Sequence, residues 1–293
     1  MLLKKIKERV SRINKNKEMV VGMNRRNLDF VYPNNPRKSF EFANNKLLTK
    51  KTLAKEGINI PKTFLEISYF FELNQIDTKL QNLSSFVIKP SSGSGGNGIL
   101  VISSYENGLW RSVSNKTYTL EMIKKHIADI IFGVYSFGLN DTAIVEERII
   151  QEASIAKLSP LGLADIRMIN YKNKNIAAML RIATKASDGK ANLHQGGIGV
   201  SIDIESGRTC FAQIEREDIE FHPDTGVKLT DVEIPYWDEI KQLCIQTSKV
   251  IPLGYLGIDI ALGEGRALIL EVNARPGIEI QNVSHFGLME RLQ

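Results

Sequence analysis

A glycine-rich loop between two apolar segments narrows the choice of fold more than anything else in the chain. Residues 86–89 read Phe-Val-Ile-Lys and residues 99–102 read Ile-Leu-Val-Ile, and both are typical of strands. Gly93, Gly95 and Gly98 lie between them in a G-x-G-x-x-G spacing. A dinucleotide-binding fold needs a helix after this spacing, and a P-loop needs Lys-Ser or Lys-Thr, so neither fits. The segment therefore predicts a flap between strands whose backbone N–H groups cover phosphates.

A lysine ends the strand that precedes this loop. Protein kinases also cover phosphates with a glycine loop, but their lysine follows the loop, and their H-R-D and D-F-G motifs do not occur in this sequence. Lys89 has two interpretations, a charge that reaches an α- or β-phosphate or an exposed lysine at a strand end. The attached glycine loop favours the first.

A second informative segment, residues 257–277, predicts a β-hairpin. Because side chains alternate along a strand, Glu271 and Asn273 should face the same way. A five-residue loop at 263–267 would place Asp259 directly across from Glu271, on that same face.

These three residues supply two carboxylates and one amide oxygen, which is a donor set suited to Mg²⁺. The alternative is a solvated strand face. Leu268 and Leu270 should face the opposite way, toward a core, which favours the metal interpretation.

A third polar group lies between these segments in the sequence. Asp165-Ile-Arg167 falls on one predicted strand, Arg181 on the next, and a polar loop at 192–197 follows. Arginines on adjacent strands near a phosphate flap could stabilise charge on a transferring phosphoryl group. The alternative is ordinary ion pairing at the surface. No Ser/His/Asp or Cys/His arrangement is evident, since Cys244 falls on the apolar side of a predicted helix.

Periodicity organises the rest of the chain. Helices are predicted over 40–56, 120–132 and 235–251, and residues 24–39, with Tyr-Pro and Asn-Pro steps, predict a loop or linker. Further strands are predicted at 62–67, 143–147, 165–171, 176–183, 199–203, 258–261 and 267–273.

The first 26 residues are strongly basic, with nine Lys or Arg against two Glu, a net charge of +7 in a chain of net +5. Residues 1–18 have apolar residues at helical spacing among the lysines and predict an amphipathic helix. Such a helix could contact an anionic membrane or nucleic acid. We favour packing of its short apolar stripe on the main body.

Composition excludes several classes. With 293 residues, 43% apolar and 24% charged, the chain is not typical of disordered, collagen-like or coiled-coil proteins, and its length predicts about two domains. No apolar run is long enough to span a membrane, and no signal peptide is evident. Two cysteines do not form a disulfide framework, so we expect a cytoplasmic protein.

Taken in order, these segments resemble the ATP-grasp superfamily, and most closely its RimK-like, alpha-L-glutamate ligase branch. The segments that carry the resemblance are 22–27, 45–51, 57–63, Lys89 with the glycine loop, Glu146-Glu147, 165–167, 192–197 and 271–277. The resemblance implies an α+β fold in which two subdomains hold ATP between them. The implied divisions are 1–40 for the basic helix and linker, 41–145 for a subdomain with the flap, and 146–293 for a subdomain with the metal-binding hairpin.

The resemblance also implies roles by motif position. Nucleotide binding falls to Lys46, Lys89, Ser94, Gly95, Gly96, Glu146, Glu147, Arg148 and Asp165, with residues 146–148 as the linker that reads adenine and ribose. Binding of Mg²⁺, or of Mn²⁺ in its place, falls to Asp259, Glu271 and Asn273. The reacting groups fall to Arg167, Arg181, Asn192 and Arg275.

The activity implied is that of an ATP-dependent carboxylate–amine ligase that works through an acyl phosphate. The carboxylate substrate would be glutamate or another amino acid, and the amine acceptor a small molecule, peptide or protein tail. Two alternatives stay open. One is an ATP-grasp phosphotransferase, and the other is a nucleotide-sensing protein that binds its partner through residues 1–18.

Overall fold

The computed structural model describes residues 18–93 and 95–292, so the predicted helix at 1–18 lies almost entirely outside the described residues. One antiparallel sheet has the strand order β1-β6-β2-β3-β4-β5. Its strands are β1 Thr63–Ile67, β2 Phe86–Pro90, β3 Leu100–Glu106, β4 Leu109–Ser112, β5 Thr117–Tyr118 and β6 Ala143–Glu146.

A second antiparallel sheet has the order β11-β10-β9-β8-β7-β12-β13. Its strands are β7 Asp165–Tyr171, β8 Lys174–Ile182, β9 Ile198–Ile202, β10 Thr209–Ile214, β11 Glu217–Ile219, β12 Tyr255–Gly263 and β13 Arg266–Asn273. The predicted strands are therefore confirmed to within a few residues, whereas β4, β5, β10 and β11 were not predicted.

Helices pack on both sheets. They are α1 Met23–Arg25, α2 Tyr32–Asn34, α3 Phe40–Asn44, α4 Lys46–Lys55, α5 Asp77–Gln81, α6 Leu120–Ile131, α7 Ala153–Leu158, α8 Trp237–Val250, α9 Ile280–Ser284 and α10 Met289–Leu292. A π-helical turn spans Arg26–Val31, and 3₁₀ turns span Arg37–Ser39, Phe70–Gln75 and Leu193–Gln195. The predicted α+β class is confirmed. No helix within the described residues is long and apolar enough to cross a membrane.

Each sheet has its own apolar core. α6 buries Ile123, Ile127 and Ile130 on the first sheet, and α8 packs Ile240 and Leu243 on one face of the second. Leu53 of α4 joins the core of the second sheet. That core therefore reaches back across the predicted boundary at 145 and includes part of 41–145.

The prediction of a loop at 24–39 is wrong, because much of the segment is helical. Phe30 and Val31 are buried against the other face of the second sheet, beside Ile169 and Tyr255. This burial stabilises helical turns that the proline steps alone would not favour.

The predicted helix at 40–56 is divided into α3 and α4 at Asn45, which has φ −124° and ψ 99°. The Asn45 side chain accepts a hydrogen bond from Leu48 N at 2.9 Å and so caps α4. It also accepts one from the Ser91 hydroxyl at 2.8 Å, and Lys46 N donates to Ser91 O at 2.9 Å. The break therefore fixes the first turn of α4 to the start of the glycine loop.

Candidate functional site

The hairpin of β12 and β13 pairs Asp259 with Glu271, as predicted, but its turn and register differ from those predicted. The turn has two residues, since Gly263 pairs with Arg266, and the register shifts by one between Asp259 and Ile260. Leu270 is the extra residue of this β-bulge.

The bulge also changes which side chains face the core. Ala267, Ile269 and Val272 join the core of the second sheet. The prediction that both Leu268 and Leu270 face a core is wrong for Leu270, which is only half-buried, because it assumed unbroken alternation along the strand. Leu268 is buried but is not part of this core.

Asp259 is the centre of a buried ion network on the second sheet. Its carboxylate accepts hydrogen bonds from Arg167 Nε at 2.8 Å, Arg167 Nη2 at 2.6 Å and Arg181 Nη2 at 2.8 Å. Burial alone would raise the pKa of Asp259, but the two guanidinium groups hold it well below its usual range. Three predicted site residues are thus brought together by the pairing of β7 with β8 and β12.

Asp165 completes this network. Its Oδ1 accepts from Arg181 Nε at 2.5 Å. Burial raises the pKa of Asp165 to about 6, against the opposing charge of Arg181, and the charge of Asp259 adds to the rise. The two aspartates in turn raise the pKa of Arg181, although its own burial opposes this. The predicted nucleotide contact at Asp165 is thus a carboxylate that holds an arginine.

The oxygen donors predicted for Mg²⁺ converge at the end of this network. Asp259 and Glu271 are directly paired across the two strands, and Asn273 Nδ2 lies 3.3 Å from Asp259 Oδ2. Within the described residues no three His, Cys, Asp or Glu side chains form a metal cluster, and the third donor here is an amide. Hard oxygen donors fit Mg²⁺. A cation at Asp259 would have to compete with the two arginines.

Lys46 connects the two sheets at this point. Its ammonium group donates to Gly93 O in the glycine loop and lies 3.6 Å from Glu271 Oε2. The predicted phosphate lysine thus lies between the flap and the predicted metal donor Glu271, at the first turn of α4.

Lys89 is part of a buried triad that the sequence did not predict. Glu146 accepts from Lys89 at 2.6 Å and from Lys50 at 2.7 Å, and Lys50 also donates to Pro61 O at 2.7 Å. All three side chains are less than a tenth exposed. Burial lowers the pKa of Lys50, and the charge of Lys89 adds to this. Lys50 follows Lys46 by one helical turn, which is the sequence signal that could have found it.

The other linker residues lie nearer the surface. The Glu147 carboxylate accepts from Lys62 N at 3.2 Å and contacts the Arg266 guanidinium. Arg148 is half-buried after β6. The linker carboxylate that faces the interior is therefore Glu146, and it contacts lysines.

The glycine loop is held at its base and open at its tip. Ser92 N donates to Asp141 at 3.0 Å, and a Cβ at Gly98 would lie 2.6 Å from the Tyr135 ring. Gly95 and Gly96 have φ of +64° and +77°, which favours glycine. Such turns leave backbone N–H groups free to bind anions. Ser94 lies outside the described residues.

Two residues predicted to contact the reacting groups, Asn192 and Arg275, make contacts outside the Asp259 network. The Asn192 side chain accepts from His194 N at 3.0 Å and so caps the 3₁₀ turn after β8. The Arg275 guanidinium lies over the rings of Phe40, at 4.9 Å, and Tyr32, at 5.7 Å. Neither residue makes a hydrogen bond or ion pair with the Asp259 network within the described residues.

Comparison with known families decides the fold. The profile of a family described as sugar-transfer associated ATP-grasp matches residues 25–293. The chain belongs to this ATP-grasp family. The predicted superfamily, and the ATP-grasp fold with it, is thereby confirmed.

Relatives of this ATP-grasp protein carry ligase names. A "probable alpha-L-glutamate ligase" of Trichodesmium erythraeum is 25% identical over 251 residues, which cover 85% of this chain and 62% of that protein. A "ribosomal protein bS6–L-glutamate ligase" of Escherichia fergusonii is 24% identical, over 85% of this chain and 61% of that protein. The chain thus spans about three fifths of the length of the curated relatives it matches.

Solved structures agree on the fold. Phosphoribosylamine–glycine ligase from Thermotoga maritima superposes with a TM-score of 0.51, at 17% identity, over 90% of this chain and 56% of that one. At this identity the likeness bears on the fold alone.

Proposed function

We propose that this ATP-grasp protein is an ATP-dependent carboxylate–amine ligase. The observation that carries the proposal is the position of Lys46, which contacts both the glycine loop of one sheet and Glu271 of the other. A phosphate-covering loop, a lysine and an oxygen-donor set therefore border one space. The ligase names of the relatives support the same reaction class.

In the proposed reaction, a carboxylate oxygen of the first substrate attacks the γ-phosphorus of ATP and ADP leaves. The nitrogen of an amine then attacks the acyl carbon, phosphate leaves, and the amine loses a proton. The products are an amide, ADP and phosphate. No side-chain nucleophile is required, which agrees with Cys244 being buried in α8.

The residues of the chain would bind and orient these groups. Lys46, Gly95 and Gly96 would hold phosphates, and Arg167 and Arg181 would stabilise charge on the transferring phosphoryl group. Asp259, Glu271 and Asn273 would hold Mg²⁺, which neutralises phosphate charge when bound. Residues 41–145 and 146–293 would then be the two subdomains on either side of the nucleotide, with α4 packed on the second.

The test is incubation with Mg-ATP and a mixture of amino acids, with ADP, phosphate and product masses followed together. We expect a product whose mass is that of two substrates minus water, with Glu271→Ala as the inactive blank. Glutamate is the first carboxylate to test, given the names of the relatives.

A carboxylate substrate labelled with ¹⁸O should pass one label to the released phosphate, because its oxygen attacks the γ-phosphorus. A product heavier by a phosphoryl group would instead establish a phosphotransferase. ATP binding without any turnover in the presence of peptides and amino acids would contradict both.

A further inference from the structure

A basic groove lies beside the proposed site and is not explained by nucleotide binding. Its volume is about 880 Å³, and we name it the Arg275 groove, lined by Tyr32, Arg37, Lys38, Phe40, Glu41 and Arg275. Ligand pockets typically measure about 300–1,000 Å³, so the groove has room for a substrate of several rotatable groups.

The groove is lined by residues that are close in sequence to the proposed reacting groups. Arg275 follows Asn273 by two residues, so their Cα atoms lie within about 7 Å. On the other side, Glu41 lies in α3, directly before the Asn45 break that positions Lys46. A molecule in the groove would thus lie beside the segments that carry Lys46 and Asn273.

The base of the groove is held by buried hydrogen bonds. Asn35 Nδ2 donates to Tyr255 O at 2.7 Å and to Ala274 O at 3.1 Å, and Asn35 Oδ1 accepts from Tyr255 N at 2.9 Å. Arg26 Nη1 donates to Pro276 O at 2.9 Å. These bonds fix the segment before Arg37 to the ends of β12 and β13, so the groove is formed before any ligand binds.

Its charges lack partners within the part of the chain that the structure describes. No described carboxylate lies within 4.0 Å of the cationic groups of Arg37, Lys38 or Arg275. The guanidinium group of Arg275 lies over the rings of Phe40 and Tyr32, and the residue is exposed. A stacked, unpaired guanidinium of this kind suits a carboxylate or phosphate, which it can bind through two parallel hydrogen bonds.

The geometry points to the Arg275 groove as the binding site of an anionic acceptor, whose carboxylate or phosphate groups contact Arg275, Arg37 and Lys38 while its amine enters the reacting space. This inference rests on the proposed ligase function for the role of the occupant. The binding site itself can be tested without turnover.

The probe is a fluorescein-labelled hexaglutamate peptide, followed by fluorescence anisotropy at low salt with saturating AMPPNP and Mg²⁺. We expect saturable binding that hexaglutamine does not show. Arg275→Gln and Arg37→Gln/Lys38→Gln should each weaken it about tenfold or more, since hydrogen bonds between charged groups contribute about 1.5–3 kcal/mol. Arg275→Lys should restore only part of the affinity, because it keeps the charge and loses the planar stack.

The matched control is Lys55→Gln/Arg111→Gln, which removes two exposed cations outside the groove. It should change the affinity less than twofold. Competition with acetate and with inorganic phosphate shows which anion the groove prefers. Equal losses in the control and groove variants, or peptide binding that becomes tighter when AMPPNP is left out, would overturn the inference.

Turnover separates this inference from the proposed function. If an acceptor is found, Arg275→Gln should raise its KM and leave the KM of ATP unchanged. Peptide binding that depends on the groove in a protein without ligase activity would retain the site and refute the ligase. Ligase activity with an unchanged acceptor KM in Arg275→Gln would support the ligase and refute the groove as the acceptor site.

Discussion

Replacing Lys50 by Met should destabilise the folded chain by about 3 kcal/mol. Lys50 is only 3% exposed and its ammonium lies 2.7 Å from Glu146 Oε2. Removing one partner of a buried ion pair costs about 3–5 kcal/mol, because the other charge stays buried. Lys89 remains 2.6 Å from Oε1 of the same carboxylate, so the lower end of this range applies.

The assay is denaturant unfolding together with the thermal midpoint. A loss of about 3 kcal/mol corresponds to a fall in Tm of about 6–12 °C for a chain of this size. The matched control is Lys51→Met, next along the helix, because the Lys51 side chain is 55% exposed and its ammonium pairs with Glu66 at the surface. Surface pairs contribute about 0–1 kcal/mol, so Lys51→Met should change Tm by only a few degrees.

A Lys50→Met protein no less stable than Lys51→Met would refute the assignment of the triad as a coupled buried unit. The double variant Lys50→Met/Glu146→Gln refines the result. Its loss should be smaller than the sum of the single losses, because each single variant leaves a buried charge with one partner fewer.

Three further results are expected. Gly98→Ala should be about 1–3 kcal/mol less stable than Gly108→Ala in denaturant unfolding, because both glycines have φ near +80° but only a Cβ at Gly98 would meet the Tyr135 ring. Equal losses of stability in the two variants would contradict this contact. Asn45→Ala and Thr119→Ala each remove a helix cap that contributes about 1 kcal/mol to stability. Only Asn45→Ala should also weaken the affinity for Mg-ATP, measured by calorimetry, since only that cap positions Lys46. Burial lowers the pKa of His126, so below about pH 6.5 the unfolded chain binds more protons than the folded chain. Between pH 7.5 and 5.5 the free energy of unfolding should therefore fall more in the native chain than in His126→Gln, and parallel losses would refute this.

The hairpin of β12 and β13 shows which features of the site can be predicted from the sequence. Alternation and a glycine turn were enough to predict that Asp259 lies opposite Glu271, and this is confirmed. The assumed five-residue loop is a two-residue turn, which shifts the register by one residue, and the bulge at Leu270 shifts it back, so the two deviations offset each other. A bulge leaves no strong mark in a single sequence because it depends on how the strand packs.

The ion network shows where sequence reasoning ends. Arg167 and Arg181 were recognised, but their partners depend on β7 lying between β8 and β12, which is a property of the sheet order. The Lys50–Glu146 contact likewise joins residues 96 positions apart. Local periodicity carries no information on such approaches, whereas the short-range cap at Asn45 could have been predicted from its residue type.

Residues 24–39 make the same point from local structure. Proline steps favoured a loop, and tertiary burial of Phe30 and Val31 overrode them. This helical segment then supplies Asn35, which bridges β12 to the end of β13. The part of the sequence with the weakest local signal is thus the part that shapes the groove beside the site.

The network also explains why two arginines can be buried beside the proposed phosphate site. An unpaired buried guanidinium would be strongly unfavourable, and each of these has a carboxylate within 2.8 Å. Asp165 holds Nε of Arg181 while Nη2 of the same group reaches Asp259. The orientation of the charge is therefore set by folding, before any phosphate arrives, and electrostatic stabilisation is most effective when the groups that provide it need not reorganise. On this interpretation Asp165 acts through Arg181, and its position across from that residue in the sheet is what makes the pairing possible.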